Sequence, residues 1–252
     1  MIAVDGLVKT FDSLRAVDGV SFLLQAGTIT GLIGPNGAGK TTLFNTIAGI
    51  YRPDAGTIAF DGERVDGLAP DLLFRRGLAR TFQIPRPFAE MTVLENVMLA
   101  ATNQEGERFW SNWLRHGLIA REERALRDRA MTILEFTTLD RLAGEPARTL
   151  SGGQQKLLEL ARILVGEPRV ILLDEPAAGV NPVLMDTLVE KIVALNKRGV
   201  TFLVIEHNMD LVMSVCNPIL VMAQGRLILE GTAEQVRNDS RVIDAYLGGA
   251  VA

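Results

Sequence analysis

Gly34-Pro35-Asn36-Gly37-Ala38-Gly39-Lys40-Thr41 decides how this chain folds. Its spacing is G-x-x-x-x-G-K-[ST]. It stands between a short apolar run ending at Ile33 and a helical run over residues 40–48, closed by Gly49. Strand, glycine loop and helix in that order let consecutive backbone N–H groups turn inward at a helix N-terminus, where the dipole favours an anion. Such a nest cradles phosphate, with Lys40 reaching the outer phosphates and the Thr41 hydroxyl ligating Mg²⁺. The bland alternative is a glycine-rich turn between strand and helix.

The matching second half is Val170-Ile171-Leu172-Leu173-Asp174-Glu175, an apolar strand that ends in carboxylates. A metal-organising carboxylate is required at that place in phosphate-loop hydrolases, and the next residue, Glu175, is placed to deprotonate an attacking water. An acidic pair capping a strand before Pro176 is the structural alternative. The first third otherwise reads as strands over residues 2–8, 17–24, 28–33 and 56–60, with turns at Asp18-Gly19 and Asp61-Gly62. The middle is rich in Glu, Arg, Leu and Ala, with helical spacing over residues 93–101 and 121–136. After it come apolar strands over 170–173 and 201–205, separated by a helix over 183–196 that begins behind Pro182. Strands over 219–223 and 226–229 meet at Gln224-Gly225. No linker separates these parts, so the helical middle reads as inserted into one continuous α/β core.

Composition narrows the setting. The 252 residues are 48% hydrophobic and 22% charged, which is globular and argues against disorder. Lys and Arg total 26 against 30 for Asp and Glu, a net charge of −4 that disfavours a dedicated nucleic-acid binder. The single cysteine, Cys216, forms no internal disulfide, and a reducing compartment is the simplest setting. No apolar run approaches the length needed to span a bilayer, and the N-terminus lacks the pattern of a secretion signal. A mean hydropathy of +0.20 fits a subunit that buries surface against partners.

Leu150-Ser151-Gly152-Gly153-Gln154 narrows the reading further. Physically it is a second phosphate cradle, a hydroxyl and two glycine N–H groups opening a helix over residues 154–165. By itself it reads equally well as a Ser N-cap with flexible glycines. Together with the loop and the carboxylate strand, the sequence LSGGQ resembles the ATP-binding subunits of ABC transporters. The resemblance covers nearly the whole chain. It implies a P-loop NTPase fold of the ABC ATPase type, a mixed central sheet plus an antiparallel β subdomain, in one domain over residues 1–252. The core would be residues 1–84 and 162–252, with an inserted α-helical subdomain at about 85–161.

The same resemblance implies roles residue by residue. Phe11 falls where an aromatic stacks on adenine; its alternative is a core Phe. Asn36, Gly37, Gly39, Lys40, Thr41 and Thr42 fall in the nucleotide loop, and Ser151, Gly152, Gly153 and Gln154 in the signature that meets the nucleotide of the opposite subunit. Gln83, in Ala79-Arg80-Thr81-Phe82-Gln83, matches the glutamine that contacts Mg²⁺ and water, so Thr41, Gln83 and Asp174 form the expected metal set. His207, in Val204-Ile205-Glu206-His207, matches the histidine that contacts the γ-phosphate, and Glu175 the general base. His116 matches no family site and reads as surface.

ATP and Mg²⁺ are therefore the expected cofactors, with ATP held in a head-to-tail dimer of like or unlike ATPase subunits. The implied partners are permease subunits contacted near residues 83–97, from Gln83 to Val97, and indirectly an extracytoplasmic solute-binding protein. The implied location is peripheral, on the cytoplasmic side of the bacterial plasma membrane. Ala178-Gly179-Val180-Asn181-Pro182 departs from the S-A-L-D of many such subunits, placing Asn181 where an Asp often meets the opposite subunit. That departure, the A-R-T-F-Q around Gln83 and the ending Val242-Ile243-Asp244-Ala245-Tyr246-Leu247-Gly248 are similar to importers of branched-chain amino acids. Urea or amide uptake, lipid export and a non-transport ABC ATPase stay open as alternatives. Phe109, Trp110, Trp113 and Leu114 form an apolar cluster that reads as packing of the helical part or as a contact with permease or lipid headgroups.

Overall fold

A computed structural model describes residues 1–81, 86–101 and 116–247. The chain divides into two compact units. The first comprises Met1–Arg80, Arg169–Ala178 and Ile192–Ala252; the second comprises Thr81–Pro168 and Gly179–Lys191. The second unit thus takes in a segment after the carboxylate strand, beyond the contiguous helical middle.

In the first unit, β1 (Ile2–Phe11), β2 (Leu14–Leu24), β4 (Ala55–Phe60) and β5 (Glu63–Arg64) form an antiparallel sheet in the order β2-β1-β4-β5. Burial alternates along the end of β2, where Val20, Phe22 and Leu24 are covered and Leu23 is exposed, as expected of a sheet packed on one face. The turn expected at Asp18-Gly19 lies instead inside β2, and the chain reverses at Asp12-Ser13. Pairing steps from Leu7 with Val20 to Val8 with Asp18, which leaves Gly19, at φ +69°, as the extra residue of a bulge. A bulge and a turn ask for the same Asp-Gly chemistry, so composition does not separate them.

The other sheet has the order β10-β9-β3-β8-β7-β6. Its strands are β3 (Ile29–Ile33), β6 (Leu78–Arg80), β7 (Val170–Asp174), β8 (Thr201–Ile205), β9 (Ile219–Ala223) and β10 (Arg226–Gly231). All are parallel except β10, which returns antiparallel through Gln224-Gly225. Every residue of β3, β7 and β8 is buried, the reason each reads as an unbroken apolar run. The three-residue β6 was not expected, being too short for any period to show. Helix α1 (Lys40–Ile47) buries Leu43, Phe44 and Ile47 into the same core, each contributing roughly 1.5–3 kcal/mol of apolar burial. Between β5 and β6 runs a short helix, α2 (Pro70–Arg75).

Helices α3 (Val93–Met98), α4 (His116–Phe136) and α5 (Gly152–Leu164) build the second unit. Thr92 and Glu95 close a capping box on α3: the Thr92 hydroxyl accepts from the Glu95 N–H, and the Glu95 carboxylate accepts from the Thr92 N–H at 2.7 Å. Asn96 is fully buried and holds the preceding loop, donating to the Phe88 and Thr92 carbonyls and accepting from the Phe88 N–H. Helix α6 (Pro182–Lys197) follows, with Pro182 at its start as the sequence implies. The resulting architecture is the expected one: a mixed central sheet, an antiparallel sheet and a helical part.

Candidate nucleotide site

Parallel order brings the chemistry together before any side chain is considered. β3, β8, β7 and β6 are neighbours, so their C-terminal ends deliver Gly34, Glu206, Asp174 and Arg80 to one edge of the first unit. The crevice beyond such ends is where open parallel sheets take their ligands.

The loop after β3 is shaped by its neighbours' backbone. Gly34 sits at φ +151° and Gly39 at φ +96°, and a Cβ on either would run into the carbonyl oxygens of Met222 and Ala16 respectively. A Cβ on Gly37, by contrast, would meet no other part of the chain within 4 Å, so the open side of the loop is its middle. Asn36, Gly37 and Thr41 are exposed there and Thr42 is half-buried. Lys40 is buried, and its Nζ donates to the carbonyls of Gly34 at 2.8 Å and Pro35 at 3.0 Å. Burial pulls its pKa down, opposed by the charge of Glu175. The ammonium is therefore held inside the loop, at the mouth of a nest of N–H groups, where an anion would meet it.

Asp174 closes β7 and is buried. Glu175 follows at φ +48°, a backbone state few non-glycine residues adopt. Its N–H still bonds the Ile205 carbonyl at 2.9 Å, so the ladder extends one residue before the chain turns away. That turn aims the Glu175 carboxylate at His207, whose Nε2 lies 3.1 Å from Oε1. Strain of this kind clusters at functional sites, and in this chain Asp12 and Asp61 also adopt it, in turns. The two residues singled out separately by sequence, a strand-end Glu and one of two histidines, thus meet.

Two residues at this edge escaped the sequence reading. Glu206 is buried and accepts from three backbone donors: Ala177 N–H at 2.7 Å, His207 N–H at 3.0 Å and Asn208 N–H at 3.2 Å. It fixes both the segment after Glu175 and the one carrying His207. A buried acid beside a more conspicuous histidine gave no sequence signal of its own. Replacing Glu206 by Ala is expected to cost about 2–4 kcal/mol in urea unfolding, because three donors lose a charged acceptor at once. A loss within about 0.5 kcal/mol, the range of ordinary surface changes, would contradict that role. Arg80 is the other, with Nη2 3.2 Å from Asp174 Oδ2.

Phe11 is 40% exposed, not part of the core, with the Tyr51 ring edge-on at 5.2 Å and Lys9 Nζ 5.5 Å from its centroid. In the second unit Ser151 caps α5: its hydroxyl accepts from Gln154 N–H at 3.4 Å, and Gln154 Oε1 accepts from Ser151 N–H at 2.9 Å. The N-cap reading of LSGGQ therefore holds as geometry, and it leaves Ser151 and Gly152 exposed at a helix N-terminus. Gly153 is forced by packing, since a Cβ there would lie 2.6 Å from Leu184 Cδ1. Asn181 caps α6, accepting from Leu184 N–H at 3.0 Å, work that Asn and Asp do equally well. Gln83 lies outside the described residues, as do Phe109, Trp110, Trp113 and Leu114.

The profile of the ABC transporter family matches residues 17–178. The chain belongs to that family. A further profile, that of the branched-chain amino acid ATP-binding cassette transporter, matches residues 226–252 of this cassette. Among its relatives, the high-affinity branched-chain amino acid transport ATP-binding protein LivG of Escherichia coli is 43% identical, covering 99% of this chain and 98% of that one. BraF of Pseudomonas aeruginosa, which carries the same description, is 42% identical with the same coverage. Among solved structures, the ADP conformation of MJ1267, an ATP-binding cassette of an ABC transporter, superposes with a TM-score of 0.85. It is 38% identical, and each chain is 98% covered. A dimeric structure of MJ0796, a bacterial ABC transporter cassette, matches at 0.76 with 25% identity, over 92% of this chain and 99% of that one. This cassette is accordingly the nucleotide-binding ATPase subunit of a transporter. No helix among the described residues is long and apolar enough to cross a membrane.

The edge also suits Mg²⁺. The described residues hold no group of three or more His, Cys, Asp or Glu side chains able to hold a metal. Mg²⁺ needs no such cage, since it is held by one or two protein oxygens with substrate phosphates and water completing its shell. A hydroxyl at Thr41 and a carboxylate at Asp174 are donors of that kind, and the Asp174 carboxylate already has a cationic partner in Arg80.

Proposed function

We propose that this cassette binds ATP with Mg²⁺ at the loop of residues 34–42 and hydrolyses it to power uptake of branched-chain or other hydrophobic amino acids. The observation that carries the reading is the meeting of the Lys40 loop, Asp174, Glu175 and His207 at one sheet edge, with Glu175 3.1 Å from His207. The cargo is inferred from the relatives' transport of branched-chain amino acids.

The exposed ring of Phe11 offers adenine a stacking face. Asn36, Gly37, Gly39 and Thr42 line the phosphate nest, and Lys40 exchanges its bonds to the Gly34 and Pro35 carbonyls for phosphate oxygens. Thr41, Asp174 and Gln83 supply the oxygen ligands for Mg²⁺, which neutralises phosphate charge when bound. Glu175 takes the proton of the attacking water as general base. His207 moves its Nε2 hydrogen bond from Glu175 to the γ-phosphate, which both frees the base and stabilises charge on the transferred group.

Ser151, Gly152, Gly153 and Gln154 serve the nucleotide bound by a second ATPase subunit. One ATP engages both surfaces when two cassettes pair head to tail. The dimeric cassette among the solved structures supports that arrangement. Hydrolysis removes the shared ligand, and the closing and opening of the pair drives the permease. The docking segment is residues 83–97, where the half-exposed Phe88 is braced by Asn96 from within. The cassette thus works on the cytoplasmic face of the plasma membrane, coupled through permeases to a binding protein outside.

Mild-detergent capture of the tagged chain from its native membranes tests the reading. Two polytopic permeases and an ATPase subunit are expected with it. Recovery from the soluble fraction with ribosomes or DNA-bound factors would refute the transport assignment.

A further inference from the structure

Arg80 has no part in the mechanism above, yet it occupies its centre. It ends β6, pairs in register with Leu172 of β7 and extends its guanidinium alongside that strand's terminal carboxylate. Nη2 lies 3.2 Å from Asp174 Oδ2, with the two side chains only 14% and 6% exposed. On its other side the guanidinium covers the ring of Phe44, with Cζ 5.2 Å from the centroid. Phe44 is fully buried on α1, the helix that presents Thr41. One cation therefore bridges the strand and the helix that supply the two described metal donors.

We infer that Arg80 is a positioning residue that holds the Asp174 carboxylate as a resident cation until nucleotide arrives, so that a divalent ion binds together with phosphates and not before them. The inference rests on the assignment of Asp174 as a metal ligand. The physics is Coulombic. A fixed positive charge beside a buried carboxylate cancels much of its attraction for a dication, and low dielectric makes the effect large. Phosphate oxygens restore the negative charge and tip the balance towards the metal. Without Arg80 the Asp174 carboxylate would lose this counter-charge and attract a divalent ion more strongly before nucleotide arrives. Stacking on Phe44 fixes the guanidinium in place, which a flexible ammonium would not match.

The experiment uses Mn²⁺ as the probe, read by electron paramagnetic resonance on the full-length, nucleotide-free chain. A parallel titration records the Mg²⁺ concentration at which ADP binding is half restored. The wild-type chain is expected to take up no Mn²⁺ at this site below the millimolar range. Arg80→Gln and Arg80→Met, one polar and one apolar, are expected to bind Mn²⁺ at least about tenfold more tightly and to need correspondingly less Mg²⁺ for ADP. Arg80→Lys keeps the charge without the stacked, fixed placement and is expected to fall between wild type and the charge-removing variants in both readings. Equal Mn²⁺ affinity in wild type and the charge-removing variants, or a higher Mg²⁺ requirement in them, would overturn the inference. Should neither variant fold, Arg80→Lys decides: tighter Mn²⁺ binding there than in the wild-type chain upholds the inference, and equal or weaker binding overturns it. Asp174→Asn separates the two readings: if ADP binding keeps its Mg²⁺ dependence in that variant, the metal-ligand assignment falls. If that dependence is lost while the Arg80 variants match wild type, only the role of Arg80 falls.

Discussion

Replacing Glu175 by Gln is expected to lower ATP turnover by about 10²–10⁴-fold while leaving ATP affinity near its wild-type value. The substitution keeps the side chain's shape and an amide oxygen for His207 Nε2, which lies 3.1 Å from the carboxylate in the present structure. It removes only the basicity needed to take a proton from water. The strained backbone at φ +48° is a property of the position and is kept, so the variant should fold and bind as before. Single-turnover hydrolysis with labelled ATP, beside an equilibrium binding titration, checks both halves. Hydrolysis at the wild-type rate would remove Glu175 from the role of base, and equal loss of binding and turnover would make it a structural residue.

Lys40→Ala is the second large effect, and it should appear in binding and not only in rate. The ammonium now bonds to the Gly34 and Pro35 carbonyls, so truncation leaves the nest without its one buried cation among the loop residues. Charge-assisted hydrogen bonds contribute roughly 1.5–3 kcal/mol, so nucleotide affinity should fall by about 10–100-fold or more. The loop itself should persist, because Gly34 and Gly39 are fitted to the Met222 and Ala16 carbonyls independently of Lys40. Titration with a fluorescent ATP analogue reads the effect. Unchanged affinity would refute the cradle.

Most of this edge was legible from residue order. A glycine loop between an apolar run and a helix, and a second apolar run ending in Asp174-Glu175, place Lys40 and the two carboxylates at one end of the sheet by strand topology alone. What escaped was whatever depends on neighbours distant in sequence. Arg80 sits in a strand too short to show a period, and its importance comes from β7, far along the chain. Glu206 looked incidental beside His207, and only its three backbone donors explain it. Asp18-Gly19 reads as a turn in the sequence because a bulge asks for the same conformational freedom. For LSGGQ the Ser N-cap holds as geometry, and it leaves Ser151 and Gly152 exposed at a helix N-terminus, so the cap is compatible with the proposed anion-binding role. Asn181 shows the reverse, since its cap on α6 is satisfied without the charge an Asp would carry.

If hydrolysis at Glu175 drives movement of an apolar amino acid, the membrane complex purified through this chain should show it in proteoliposomes reconstituted with a solute-binding protein. Uptake of radiolabelled leucine, isoleucine or valine is then measured, with Mg²⁺ and ATP supplied on the cassette side. Uptake is expected to require both and to disappear when the complex carries Glu175→Gln. Uptake that continues at the wild-type rate in that variant, or vigorous ATP hydrolysis without transport of any of the three, would contradict it.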